Sequence, residues 1–147
     1  MRRRILFLCT GNAARSQMAE ALARLDWPEH VAAVSAGSRP TGWVHPVAIR
    51  VMEELGASMA SAYSKSAEEF QQATFDVVVT VCDSAAQDCP TWPGARRIEH
   101  WSIEDPSHSW RDPEAELQRF LDTRDDLRRR IRELVSSLLA GTPETED

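Results

Sequence analysis

A cysteine and an arginine near the start of this chain enclose a run of small and turn-forming residues. Cys9 and Arg15 are separated by five residues, and Ser16 follows directly. A thiolate is a nucleophile, and a guanidinium binds tetrahedral oxyanions through parallel hydrogen bonds. The intervening backbone can turn its N–H groups inward as an anion-binding nest, which predicts a nucleophile aimed at a bound oxyanion. The oxyanion-binding residues would be Arg15 and the loop residues Thr10, Gly11, Asn12, Ala13 and Ala14.

The residues on either side of this loop predict the elements that position it. An apolar run at residues 5–8 is typical of a buried strand, and residues 17–25 carry apolar side chains at helical spacing. The loop would then lie at a helix N-terminus, where the helix dipole favours both anions and thiolates. Cysteine and arginine at this spacing also occur by chance, so the strand–loop–helix context carries most of the prediction. The alternative is a buried structural cysteine near a surface arginine.

Composition places the chain among ordinary globular proteins. Its 147 residues suit one domain, with 42% hydrophobic and 27% charged residues. A net charge of −6 and the lack of a basic stripe argue against nucleic acid binding. No apolar run has the length of a membrane span or a signal peptide, so we expect a cytoplasmic protein without a membrane partner. In that reducing compartment cysteines are more often catalytic or metal-binding than structural.

Strands and helices alternate along the chain, which predicts a parallel α/β fold. We expect a single three-layer domain over residues 1–141, with a four-stranded parallel sheet flanked by helices, and a polar tail at residues 142–147. Beyond the first strand and helix, strands are predicted at residues 31–35, 75–81 and 96–99, a short helix at residues 66–72, and longer helices from His45-Pro46 and Asp112-Pro113.

The ends of the predicted strands gather the reactive side chains. In a parallel α/β sheet, ligands bind outside the carboxyl ends of the strands. Cys9 follows the first predicted strand, Cys82 the third and Asp105 the fourth, so all three should share one rim. A carboxyl group near a thiolate and an oxyanion has its acid form favoured, which suits a general acid. The alternative for Asp105 is an ordinary Asp-Pro turn, and Glu104 stays open as the acid.

The other two cysteines, Cys82 and Cys89, bracket a short polar segment that ends at Pro90. In a continuous helix their Cα atoms would lie about 10.5 Å apart, whereas a disulfide tolerates about 7 Å. Bridging them would require this segment to unwind, so the pair predicts a redox switch coupled to a local conformational change. The alternatives are two unrelated buried thiols, a stabilising disulfide, and a zinc site with His100 or His108. The cysteine spacing suits zinc poorly, and we expect no metal.

Taken together, these motifs resemble the thiol-coupled arsenate reductases built on the low-molecular-weight protein tyrosine phosphatase fold. The resemblance extends over about residues 4–140, and the Cys82–Cys89 pair points to the reductase branch. Phosphatases with this fold usually have proline after the loop serine, where this chain has Gln17. The matching stretches are residues 9–12, 15–20, 35–37, 79–82, 89–90, 99–101 and 105–106.

The resemblance implies reduction of arsenate to arsenite, a step in arsenic detoxification, with phosphate as a competing oxyanion. Cys9, helped by a hydrogen bond from Ser16, would attack arsenic while Asp105 protonates the departing hydroxyl. Cys82 would then attack Cys9 and release arsenite, and Cys89 would attack Cys82 to free Cys9. Thioredoxin would reduce the resulting disulfide, with glutaredoxin or another thiol system as the alternative donor. We expect a monomer that needs no cofactor.

The resemblance also raises the question of a potassium ion. Some relatives hold one near positions that correspond to Asn12, Glu20 and Ser35, together with an acidic fourth ligand. Lys65 falls at that fourth position in this chain. Its ammonium group would repel the ion and could itself occupy the space, so we expect activity that does not depend on potassium.

A phosphatase that hydrolyses phosphate monoesters through a phosphocysteine intermediate is the main alternative function. It would need Cys9, Arg15 and Asp105 but neither Cys82 nor Cys89. An arsenite or metal sensor would bind through its thiols and leave the oxyanion nest unexplained. A phosphocysteine carrier would have no use for an arginine and an acid that promote turnover.

Overall fold

A computed structural model of the protein describes residues 2–81, 92–109 and 112–140. Within these residues, three helices and two 3-10 turns accompany four strands. The strands are β1 (Arg3–Cys9), β2 (Val31–Gly37), β3 (Val77–Val81) and β4 (Ile98–Trp101). The helices are α1 (Arg15–Asp26), α2 (Pro46–Glu54) and α3 (Pro113–Ala140), and the 3-10 turns are Ala67–Phe70 and Pro106–Ser109.

The four strands of the described chain form one parallel sheet in the order β2–β1–β3–β4. The parallel α/β fold predicted from the alternation of elements is therefore confirmed. Every residue of β3 is buried, and so are the last five residues of β1, because central parallel strands are covered on both faces. All strands point the same way, so their carboxyl ends meet at one edge of the sheet, where Cys9 ends β1.

Apolar side chains cover both faces of the sheet. On one face, residues from all three helices pack in a single cluster against Ile5, Phe7 and Val79. On the other face a smaller cluster joins Leu6 and Leu8 to other buried apolar residues, Ala36, Phe75, Val78 and Trp92. The first cluster contains the largest fully buried side chains of the helices, so it fixes α1 and α3 relative to β1. This packing gives the carboxyl edge a rigid support.

Several element boundaries differ from the predictions. α1 begins at Arg15 rather than residue 17, because the Ala14 carbonyl already accepts the Met18 N–H at 2.8 Å. Arg15 therefore belongs to the first helical turn. β2 continues to Gly37, whereas β3 and β4 each begin two residues later than predicted. The short helix predicted at residues 66–72 is the 3-10 turn Ala67–Phe70.

The start signals of the two later helices act as predicted. The His45 ring accepts a hydrogen bond from the Val47 N–H at 3.1 Å, and Pro46 is the first residue of α2. Asp112 caps α3 through Oδ1, which accepts the backbone N–H groups of the second and third helical residues at 3.2 and 3.3 Å.

None of the described helices is both long and apolar enough to span a membrane. Residues 141–147 lie outside the described residues, so the predicted domain limits stay a prediction.

Candidate active site

The loop between β1 and α1 has its carbonyl groups turned outward. Every backbone carbonyl from residue 9 to residue 14 accepts a hydrogen bond at 2.8–3.2 Å. In a planar trans peptide the next N–H points the opposite way, so the N–H groups of residues 10–15 face the inside of the loop. This is the arrangement of an anion nest. The donors to the carbonyls are the backbone N–H groups of Ser38, Arg39, Thr41, His45 and Met18, together with the Gln17 side-chain amide.

Asn12 holds the loop in this shape. Its φ of 51° lies in the left-handed region, which asparagine tolerates better than most residues. Its Oδ1 accepts hydrogen bonds from Gln17 Nε2 at 2.7 Å and from the Lys65 N–H at 2.8 Å. Its Nδ2 donates to Ser16 Oγ at 2.8 Å and to Ser35 Oγ at 3.0 Å. The buried Asn12 amide thus ties the loop to α1, to β2 and to the segment before the first 3-10 turn.

The Cys9 sulfur lies inside the loop with two donors directed at it. Cys9 Sγ is 2.8 Å from Ser16 Oγ and accepts the Asn12 N–H at 3.1 Å. Ser16 Oγ also accepts a hydrogen bond from Asn12 Nδ2, and whenever Cys9 is a thiolate, which has no hydrogen to donate, the Ser16 hydroxyl is the donor to the sulfur. Donors to sulfur and the N-terminus of a helix are both common surroundings of a nucleophilic cysteine. Cys9 is therefore placed as a nucleophile.

Arg15, the last residue of the Cys9 loop sequence, lies next to Asp105. Arg15 Nη2 lies 3.8 Å from Asp105 Oδ2, and Arg15 Nη1 donates to the Ile103 carbonyl at 2.6 Å. The segment after β4 thus contacts the arginine of the Cys9 loop, as expected for two residues at one rim of the sheet. Glu104, which the sequence left open as the acid, is exposed. Of these two acids, Asp105 is the one that lies within 4 Å of the Arg15 guanidinium.

Cys82 and Cys89 lie outside the described residues, so the structure neither brings them to Cys9 nor separates them from it. β3 ends at Val81, which pairs with Trp101 at the end of β4. Among the described residues no three His, Cys, Asp or Glu side chains cluster in a way that could hold a metal ion. The His100 ring, considered above as a zinc ligand, makes a hydrogen bond of 2.8 Å with Thr80 Oγ through Nδ1.

Lys65 lies beside the residues expected around a potassium ion. Its Nζ is 3.5 Å from Glu20 Oε1 and donates to the Tyr63 carbonyl at 3.1 Å. Ser35 Oγ donates to the same Glu20 oxygen at 2.6 Å, and Arg24 Nη2 lies 2.8 Å from Glu20 Oε2. Because an ammonium group already neutralises Glu20 here, these residues do not fit a potassium ion.

Sequence reasoning gave His45 no role beyond the start of α2, yet it also braces the loop. Its backbone N–H donates to the Ala13 carbonyl at 2.8 Å, and its Nε2 lies 3.6 Å from Glu116 Oε2. Burial lowers the pKa of the His45 ring, although the carboxylates of Glu116 and Asp105 act in the opposite direction. A neutral ring whose Nδ1 accepts a hydrogen bond carries its proton on Nε2, facing Glu116. The His-Pro pair in the sequence signals the helix start but not this contact with the loop.

Comparisons with known proteins agree with this architecture. An arsenate reductase of Bacillus subtilis (strain 168) is 34% identical over 133 residues, which are 90% of this chain and 95% of that protein. A solved arsenate reductase in the phosphate binding state superposes with a TM-score of 0.79 at 31% identity, over 93% of this chain and 98% of that chain. The Corynebacterium glutamicum thioredoxin-dependent arsenate reductase superposes with a TM-score of 0.73 at 28% identity, over 95% of this chain and 63% of that one. Residues 4–142 match the profile described as low molecular weight phosphotyrosine protein phosphatase, and the chain belongs to that family.

Proposed function

We propose that this protein reduces arsenate to arsenite and uses Cys9 as the nucleophile. The observation that carries the proposal is the Cys9 sulfur, which lies inside a loop of inward N–H groups that ends at Arg15, and Asp105 lies 3.8 Å from that arginine. This arrangement suits attack on the centre of a tetrahedral oxyanion. The relatives named above are arsenate reductases, and one of them was solved in a phosphate binding state. Phosphate is therefore the expected competing oxyanion.

In the first step the Cys9 thiolate attacks arsenic. A sulfur–arsenic bond forms as an arsenic–oxygen bond breaks, and Asp105 gives its proton to the departing hydroxyl, which leaves as water. Arg15 and the N–H groups of residues 10–15 neutralise the negative charge on the remaining oxygens. Arsenic stays pentavalent in this step. The Ser16 hydroxyl donates to the sulfur before the attack, because a thiolate has no hydrogen of its own to donate.

The reduction of arsenic requires the two other cysteines. The Cys82 thiolate attacks the Cys9 sulfur, the electron pair of the sulfur–arsenic bond passes to arsenic, and arsenite leaves. Cys89 then attacks Cys82, which frees Cys9 and leaves a redox-active Cys82–Cys89 disulfide. Each exchange is fast when the attacking thiol is ionised and close to its target. The cysteine pair in the sequence and the arsenate reductase relatives support this relay.

Thioredoxin is the proposed reductant of the final disulfide. A relative with the same fold is a thioredoxin-dependent arsenate reductase, and a disulfide is the substrate that a dithiol reductant attacks. We further propose that the protein acts as a monomer in the cytoplasm. This compartment is reducing, so the three cysteines would be thiols at the start of each reaction cycle.

The experiment follows arsenate-dependent NADPH oxidation in the presence of thioredoxin and thioredoxin reductase. We expect steady turnover by the native chain and a loss of at least about 100-fold in Cys89→Ser, since the disulfide that thioredoxin reduces can no longer form. In a single turnover without reductant, Cys89→Ser should still release arsenite, because Cys9 and Cys82 suffice for that step. The matched variant Cys82→Ser should release none.

A different result would make the protein a phosphatase. That result is no arsenate turnover by the native chain, together with p-nitrophenyl phosphate hydrolysis that survives both cysteine substitutions. Cys82 and Cys89 would then have no part in catalysis.

A second prediction concerns the cation. Arsenate turnover in potassium chloride should equal turnover in choline chloride of the same ionic strength within about twofold, because Lys65 supplies the positive charge beside Glu20. The measurement is a titration of potassium against choline at constant total salt. Activation by potassium that choline does not reproduce would show that the ion binds in spite of Lys65.

A further inference from the structure

One side chain holds the peptide group in the middle of the Cys9 loop. Of the six outward carbonyl groups of this loop, five accept a backbone N–H. The Asn12 carbonyl is the exception, because its one donor among the described residues is the Gln17 side-chain amide, through Nε2 at 3.2 Å. Gln17 is only 2% exposed. The direction of this peptide, and so of the Ala13 N–H that belongs to it, depends on a side chain that a single substitution can remove.

The Gln17 amide has two other acceptors, and each of them has a second donor. Gln17 Nε2 donates to Asn12 Oδ1 and to the Tyr63 carbonyl, both at 2.7 Å. Lys65 donates to the same Asn12 Oδ1 through its backbone N–H at 2.8 Å and to the Tyr63 carbonyl through Nζ at 3.1 Å. Without the Gln17 amide, the Asn12 carbonyl is therefore the one acceptor of the three that loses its donor within the described chain. Asn12 is fully buried, so this carbonyl would have to turn toward a new partner.

Rotation of this peptide would reverse the polarity of the anion nest at one point. The peptide between Asn12 and Ala13 is planar, so its N–H turns outward when its oxygen turns inward. A bound oxyanion would lose one donor and meet a carbonyl oxygen in its place. We propose that Gln17 is a positioning residue for oxyanion affinity, because its amide holds the Asn12 carbonyl outward and thereby keeps the Ala13 N–H directed at the ligand. The inference rests on the proposed function, in which this loop binds arsenate.

The hydrogen bonds of the Cys9 sulfur do not involve Gln17. The Asn12 N–H, which donates to Sγ at 3.1 Å, belongs to the preceding peptide, and the other contact is with Ser16 Oγ at 2.8 Å. The nucleophile therefore keeps both contacts when the Gln17 amide is removed. The lost donor serves the oxyanion in the ground state and in the transition state alike. Its removal should raise KM for arsenate and leave kcat nearly unchanged.

The test measures phosphate binding by calorimetry to the full chain and to two variants of Gln17. Gln17→Met removes the donor at a similar side-chain length, and Gln17→Glu keeps the shape but has no N–H to donate. We expect the phosphate Kd to rise about tenfold or more in both, which is the usual effect of losing a hydrogen bond to a charged group. KM for arsenate should rise in parallel, with kcat within about threefold of the native value. Gln17→Met alone decides the question if Gln17→Glu does not fold.

Gln118→Met is the matched control for the loss of a glutamine amide. Gln118 lies on α3, where its exposed Nε2 donates to Asp122 Oδ1 at 2.9 Å. Gln118→Met removes this hydrogen bond far from any peptide of the Cys9 loop. The phosphate Kd and KM for arsenate should therefore stay at their native values.

Backbone amide signals of the isotope-labelled chain separate this role from a general structural effect. In the native chain, the NMR signals of the Gly11 and Ala13 N–H groups should both shift when phosphate binds, since both groups face the inside of the loop. In Gln17→Met the Gly11 signal should still shift on saturation with phosphate, and the Ala13 signal should shift much less.

Four results would overturn the proposal. They are an unchanged phosphate Kd in Gln17→Met, a fall in kcat without a rise in KM, an Ala13 signal that responds as in the native chain, and a native chain that does not bind phosphate. Failure of the proposed function has a different signature, namely phosphate binding by the native chain without arsenate turnover. In that case the Kd values and the Ala13 signal still decide the role of Gln17.

Discussion

Cys9→Ser should abolish arsenate reduction and leave the loop able to bind an oxyanion. A serine hydroxyl in place of the thiolate is not ionised at neutral pH and cannot form the disulfide that transfers electrons to arsenic. The anion nest, in contrast, is built from backbone N–H groups whose carbonyls are held by other residues, and Arg15 keeps its contact with Ile103. We expect kcat to fall by about 10⁴-fold or more.

The measurement pairs turnover with phosphate binding. Phosphate should raise the thermal midpoint of Cys9→Ser about as much as that of the native chain, because a ligand that binds the folded state stabilises it by mass action. That control shows that the loop of the variant is intact. Arsenate turnover in Cys9→Ser within about 100-fold of the native rate would remove Cys9 from the role of nucleophile.

The sequence predicts the parts of this site that follow from short motifs and from the order of the strands. The Cys9–Arg15 spacing, the apolar strand before it and the Asp-Pro after a later strand are sufficient to bring Cys9, Arg15 and Asp105 to one rim, because parallel strands share a direction. The Asp112-Pro113 cap of α3 is equally local, since capping depends on neighbouring residues.

Other features depend on contacts between distant residues, and the sequence gives no sign of them. The His45 N–H meets the Ala13 carbonyl only because the chain after β2 runs beside the loop, where a Cβ at Gly37 would lie 2.6 Å from the Thr10 carbonyl.

Glu20→Met should be the most destabilising single substitution of a charged residue in the described chain. Glu20 Oε1 accepts the Ser35 hydroxyl at 2.6 Å and lies 3.5 Å from Lys65 Nζ, and the Lys65 and Glu20 side chains are only 7% and 10% exposed. Removing the carboxylate leaves a buried ammonium group without its counter-charge and a buried hydroxyl without its acceptor. Such a loss costs about 3–5 kcal/mol of the free energy of unfolding.

The double variant Glu20→Met with Lys65→Met tests this explanation. Replacing both members of a buried ion pair by apolar side chains removes the uncompensated charge, so the double variant should unfold at a higher urea concentration than Glu20→Met alone. The control is Glu54→Met, which breaks the exposed pair with Arg50 at 3.5 Å and should cost less than about 1 kcal/mol. The explanation fails if the cost of Glu20→Met equals that of Glu54→Met, or if the double variant loses as much stability as Glu20→Met and Lys65→Met lose in total.

Glu20 is also connected to the nucleophile. A chain of hydrogen bonds runs from Glu20 through Ser35, Asn12 and Ser16 to the Cys9 sulfur. Glu20→Met should therefore also slow arsenate turnover in the molecules that remain folded.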